Sequence, residues 1–104
     1  MKKKFTKRFD QLPESVKKAV KLIQMKLQPS RIVLFGSRAR GDARENSDYD
    51  LCVVDAIMGG ARSEVRVMID EDPITLYKVD LLFFEELGQD YLTNISKEGV
   101  DLYG

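Results

Sequence analysis

The chain has 104 residues, 43% hydrophobic and 33% charged, with 17 basic and 17 acidic side chains and a formal net charge of zero. That length and mixture describe one globular domain with a modest core. A balanced charge excludes the broad basic excess of a non-specific nucleic-acid binder, and the lack of histidine excludes Ser-His-Asp and Cys-His catalysis and histidine-bound zinc.

Residues 1–9 carry Lys2, Lys3, Lys4, Lys7 and Arg8 and read as a loose basic leader, with 10–104 as a single domain. A phosphate or RNA contact is the alternative reading of that leader. Pro13 suits the first turn of a helix and Glu14 favours its positive end. Val16, Ala19, Val20, Ile23 and Leu27 then repeat at the spacing of one apolar helical face, and Pro29 marks the stop. That face is expected to cover a sheet.

Ile32 to Phe35 is a short apolar run, the pattern of a strand buried on both faces. Gly36-Ser37 ends it with a turn that allows close approach of a ligand. Arg38 to Ala43 is predicted as a short helix or helical turn whose N-terminal amides point back at Gly36 and Ser37, a ready anion site. Glu45-Asn46-Ser47 is a short polar connection, so the strand after it is expected to neighbour the first. That strand runs through Asp48, Asp50 and Leu51 to Val54. Side chains two residues apart share a face, so Asp48 and Asp50 would aim at one point. Two carboxylates that close repel unless a cation sits between them, and Mg²⁺ takes oxygen ligands and is readily shared with phosphates. Cys52, the single cysteine, cannot form an internal disulfide and reads as a small core residue.

Gly59-Gly60 breaks the chain. Arg62 to Glu71 fits a helix through Val65, Met68 and Ile69 but alternates like a strand through Val65, Val67 and Ile69. A helix is preferred, with Ser63 as its cap and Asp72-Pro73 as its end. Thr75 to Phe84 is predicted as a strand with Leu76, Lys78, Asp80 and Leu82 on one face. An aspartate between Val79 and Leu81 is costly there unless paired or metal-bound. Glu85 and Glu86 are expected to open a last helix with the stripe Leu87, Tyr91, Ile95 and a stop at Gly99. No run is long and apolar enough to span a membrane, and the start lacks the apolar segment of a signal peptide, so a cytoplasmic location is expected.

Two rival motifs fail. Gly36 and Gly41 have P-loop spacing, but Asp42 and Ala43 stand where Lys and Ser/Thr are required. An EF-hand opened by Asp48-Tyr49-Asp50 would have Val53 in place of its glycine and Gly59 in place of its glutamate.

Gly36-Ser37-Arg38-Ala39-Arg40-Gly41 followed by Ser47-Asp48-Tyr49-Asp50-Leu51 resembles the signature of the minimal nucleotidyltransferases, small members of the DNA-polymerase-β-like superfamily. Asp80, in Lys78-Val79-Asp80-Leu81-Leu82, fits the third carboxylate of that family, and Ile95 to Tyr103 is similar to its usual close. The resemblance covers roughly residues 13–103. It implies an α/β (α+β) polymerase-β-like fold, a small mixed sheet flanked by helices. It implies Asp48, Asp50 and Asp80 as catalytic and metal-holding residues for two Mg²⁺ ions. Gly36 and Ser37 would hold the β- and γ-phosphates of ATP, with charge added by Arg38 and Arg40. The reaction implied is transfer of AMP to an acceptor hydroxyl with release of pyrophosphate. Such proteins pair with small helical HEPN-type ribonucleases as antitoxins and adenylylate them, typically on a tyrosine, so an antitoxin with that partner is expected. The alternatives are a non-catalytic module that neutralises a partner by contact, or transfer to a small-molecule hydroxyl.

Overall fold

The computed structural model describes residues 2–73 and 76–104. A four-stranded mixed sheet is built from β1 (Arg31–Phe35), β2 (Tyr49–Val54), β3 (Val79–Phe83) and β4 (Val100–Tyr103), in the order β3-β2-β1-β4. β1 runs antiparallel to both β2 and β4, whereas β2 and β3 are parallel. The helices are α1 (Lys7–Asp10), α2 (Glu14–Leu27), α3 (Ser37–Arg40), α4 (Gly60–Asp70) and α5 (Gln89–Glu98). α4 is the crossover that a parallel β2–β3 pair demands.

Alternation along the strands divides the core in two. Ile32, Leu34, Leu51, Val53, Val79, Leu81 and Phe83 pack with Val16, Val20, Ile23 and Leu27 of α2 and Val65 and Ile69 of α4. Val33, Phe35 and Cys52 point the other way and meet Ile95 of α5. By the same alternation Asp50 and Asp80 lie on the α5 face, which this shorter helix covers less fully.

α2 follows its predicted face, with all five predicted apolar residues buried. α4 is a helix, as preferred, but it begins at Gly60 with Gly59 as its cap, so Ser63 lies inside it and caps nothing. β3 is shorter than expected: Thr75 lies outside the described residues, and Leu76 is exposed. Glu85 and Glu86 belong to a 3₁₀ turn, Phe84–Glu86, and α5 starts only at Gln89. β4 has no counterpart in the sequence reading.

The basic leader of the sequence reading holds defined contacts from Lys4 onward. Phe5 bridges Tyr103, and Thr6 caps α1 and donates its hydroxyl to the Asp101 carbonyl at 2.7 Å. Phe9 is buried in the larger core cluster.

Candidate active site

β1 ends where the chain must turn sharply, and Gly36 makes the turn at φ 76°, in the left-handed region that favours glycine. There is a second reason for glycine. A Cβ at Gly36 would overlap the Asp50 carboxylate. The glycine turn and the Asp-x-Asp segment, separated in sequence, are therefore in contact.

Strand register assembles the carboxylates. Asp50 lies opposite Phe35 across β1–β2 and opposite Asp80 across the parallel β2–β3 pair. Asp48 immediately precedes Tyr49, the first residue of β2. Burial, then the negative charges of Asp80 and Asp48, push the Asp50 carboxyl up to about 6, against a lowering by Arg40. Lys78 lies 3.7 Å from Asp80 as an exposed counter-charge.

The donor set suits a hard cation. Among the described residues no three acidic, histidine or cysteine side chains are grouped to hold a metal ion by themselves. Mg²⁺ binds through one or two carboxylates and completes its shell with water and phosphate oxygens. Asp50 and Asp80, in register and mutually repelling, fit that requirement, with Asp48 adding charge beside them.

The two amides of the turn differ. Gly36 donates its N–H to Glu98 Oε1 at 3.1 Å. The Ser37 amide and hydroxyl donate to no group among the described residues. Ser37, rather than Gly36, therefore offers free donors to a phosphate. Arg40 is tied to Glu98 at 3.0 Å and to Asp42 at 3.2 Å, and these hydrogen bonds, Glu98's first, raise its pKa.

Arg38 was expected to add charge at the phosphates, but its guanidinium is turned to the loop before β2. It donates to the Ser47 carbonyl at 3.0 and 3.3 Å and to the Glu45 carbonyl at 3.0 Å. It also lies over the rings of Tyr49 and Tyr77, 4.6 and 5.3 Å from their centroids. A planar donor fork with a stackable face suits this place. In this arrangement Arg38 holds the backbone that delivers Asp48.

Asp50 and Asp80 open into a cavity of about 450 Å³ with Arg66, Lys78 and Tyr91 on its walls. A larger groove of about 700 Å³ between α2 and α4 has mostly apolar walls and is lined by none of Asp48, Asp50 and Asp80. Sequence reasoning missed Arg66, which donates to the Leu81 carbonyl at 2.9 Å, and Glu98. It also placed Tyr91 in an apolar stripe. The structure leaves Tyr91 50% exposed, edge-on to Phe35. Glu98 next to Gly99 gave no sign of its reach, because that contact spans 62 residues.

Comparison with known proteins agrees with this geometry. The family model described as polymerase beta, nucleotidyltransferase, matches residues 17–104. Comparison with curated protein sequences finds no significant relative. Among solved structures, a chain of a toxin–antitoxin complex with AMP-PNP is 26% identical with a TM-score of 0.66, covering 88% of this chain and 74% of that one. A chain of the toxin–antitoxin MntA–HpeT, in a tyrosine-to-alanine variant, is 28% identical with a TM-score of 0.64, covering 89% and 73%. A chain from a complex of tri-AMPylated Shewanella oneidensis HEPN toxin with MNT antitoxin is 22% identical, covers 86% and 70%, and shares the fold at a TM-score of 0.62.

Proposed function

The chain belongs to the polymerase beta nucleotidyltransferase family, and from that premise we propose that it transfers AMP from ATP to a tyrosine hydroxyl of a helical HEPN-type protein, as the antitoxin of a toxin–antitoxin pair. The observation that carries the chemistry is the register of Asp50 beside Asp80, against the Gly36 turn. The likeness to chains of toxin–antitoxin complexes, one of them with AMP-PNP, supports the nucleotide and the class of partner.

On this reading the Ser37 amide and hydroxyl donate to the triphosphate oxygens, and Arg40 adds positive charge nearby. Asp48, Asp50 and Asp80 would hold Mg²⁺, which would supply charge neutralisation for the phosphate oxygens. The acceptor oxygen bonds to the α-phosphorus as the bond to pyrophosphate breaks, and Asp80 takes the hydroxyl proton. The protein's share is positioning and electrostatics.

Two batches of ATP, labelled at the α- or the γ-phosphate, distinguish nucleotidyl from phosphoryl transfer in an extract of the source cells. Label is expected on a protein band from the α position only, and is lost with Asp80→Asn. Transfer of the γ label, or α label unaffected by Asp80→Asn, would overturn the reading. Ser37→Ala is expected to raise the KM for ATP while leaving the thermal midpoint within about 2 °C, as for a surface substitution. An unchanged KM would remove Ser37 from the site.

A further inference from the structure

Glu98 ends α5, outside both sequence motifs, yet its carboxylate binds the phosphate turn twice. Oε1 accepts from the Gly36 N–H at 3.1 Å, and Arg40 Nη1 donates to Oε1 and Oε2 at 3.2 and 3.0 Å. Its side chain is 19% exposed. A carboxylate at a helix C-terminus faces the negative end of the dipole, so this placement is unfavourable for α5 alone. It is offset by the two donors from across the sheet. Packing also dictates the junction that delivers Glu98: a Cβ at Gly99 would overlap the Ile95 carbonyl and the Val33 side chain.

These contacts join α5 to both ends of α3, since Gly36 precedes that helix and Arg40 completes it. We propose that Glu98 is a positioning residue for the nucleotide: by holding the Gly36 amide and the Arg40 guanidinium it sets the turn so that the Ser37 donors face the triphosphate. Without it, Gly36 is free to leave its left-handed conformation beside Asp50, and Arg40 keeps only its surface partner Asp42. A charged acceptor makes such hydrogen bonds about twice as strong as neutral ones, enough to fix a short turn. This rests on the nucleotidyl-transfer reading for its ligand, though the contacts themselves do not depend on it.

The test compares Glu98→Ala and Glu98→Gln with the parent, and with Asp101→Asn as a control that removes only the surface partner of Arg31. The affinity for AMP-PNP with Mg²⁺ is measured by calorimetry, and KM and kcat are measured with ATP. Glu98→Ala is expected to weaken nucleotide binding and raise KM about tenfold, with kcat reduced less than about threefold. Glu98→Gln recovers most of the affinity, because its amide oxygen still accepts from Gly36, and the control matches the parent. Equal affinity in Glu98→Ala, or a loss confined to kcat, would overturn the proposal. Hydrogen exchange at the Gly36 amide, followed without nucleotide, separates the two readings. If the parent binds no nucleotide, the proposed substrate fails. Exchange that is no faster in Glu98→Ala than in Asp101→Asn would overturn the positioning role itself.

Discussion

Asp50 is held where a carboxylate is least stable as an anion. Burial acts first and the charges of Asp80 and Asp48 add to it, so its pKa stands at about 6, against about 3.9 in an unfolded chain. Between those values the folded protein binds a proton that the unfolded chain has released. The stability this confers is complete below about pH 4 and is lost as pH rises through about 6. In metal-free protein, Asp50→Asn is therefore expected to raise the urea midpoint at pH 7, with the gain vanishing below pH 4. Adding Mg²⁺ should stabilise the parent at pH 7 and leave the variant unchanged. Urea titrations with EDTA from pH 4 to 8 decide this, and a variant less stable than the parent at pH 7 would refute it. Cys52, two residues on along the same strand face, shows the same effect of burial without a neighbouring purpose: its thiol is pushed up to about 11 and is chemically quiet. The spacing of Asp48 and Asp50 made the pair visible from sequence, because period two is a property of any strand. Arg38 was visible only as a charge. Its direction depends on the Tyr49 and Tyr77 rings and on two loop carbonyls, which no local pattern announces.

At the scale of elements, the helices and strands foreseen are those whose own periodicity sufficed. α2 has five buried residues at helical spacing, and β1 is an apolar run between breakers. The misplaced boundary after β3 has a tertiary cause. Glu85 and Glu86 form ion pairs with Arg62, at 2.8 Å for Glu86, and so lie in a turn beneath α4 instead of opening α5. Arg62 is only 6% exposed, donates to the Ala56 and Ile57 carbonyls at 3.0 Å each, and lies 4.1 Å over the Phe83 ring. Glu85 is held below the usual carboxylate range, first by its own backbone and then by that guanidinium. Arg62 thus joins the chain after β2, α4, β3 and the turn. Arg62→Ala leaves two carbonyls without their donor and two acids without a counter-charge. A loss of roughly 2–4 kcal/mol is expected, with Arg62→Lys recovering less than half, since an ammonium lacks the fork and the stacking face. Chemical denaturation measures it, and a loss under about 1 kcal/mol would show the network to be a surface ornament. β4 escaped the sequence reading because four residues are too few to show alternation, and its pairing with β1 is long-range.

For the whole molecule the open question is what closes the β4 edge. An exposed edge strand is a template for unwanted pairing. Here residues 4–6 cover it: Thr6 N–H donates to the Leu102 carbonyl at 3.0 Å, and Gly104 N–H to the Lys4 carbonyl at 3.2 Å. The ring of Phe5 lies 4.3 Å from Phe9 and 5.1 Å from Tyr103, centroid to centroid. Phe9 and Leu12 then join the cluster that contains Val20, Leu102 and Tyr103. These residues precede the 17–104 span matched by the family, yet they supply core. The basic residues that marked the segment as solvated hid a buried ring, Phe9, and a partly buried one, Phe5. In a domain of this size total stability is about 5–15 kcal/mol, so one well-buried ring is a large fraction of it. Phe9→Ala should cost about 3–5 kcal/mol, whereas replacing Lys2, Lys3 and Lys4 by serine should change stability by less than about 0.5 kcal/mol. Because α1 also sends Arg8 to the Arg38 carbonyl at 2.7 Å, the Phe9 variant is expected to loosen the turn beside the site before the domain unfolds. Hydrogen exchange at the Arg38 and Ala39 amides, followed alongside urea unfolding, tests both parts. A Phe9→Ala protein as stable as the parent would mean that the segment lies on the sheet without supporting it.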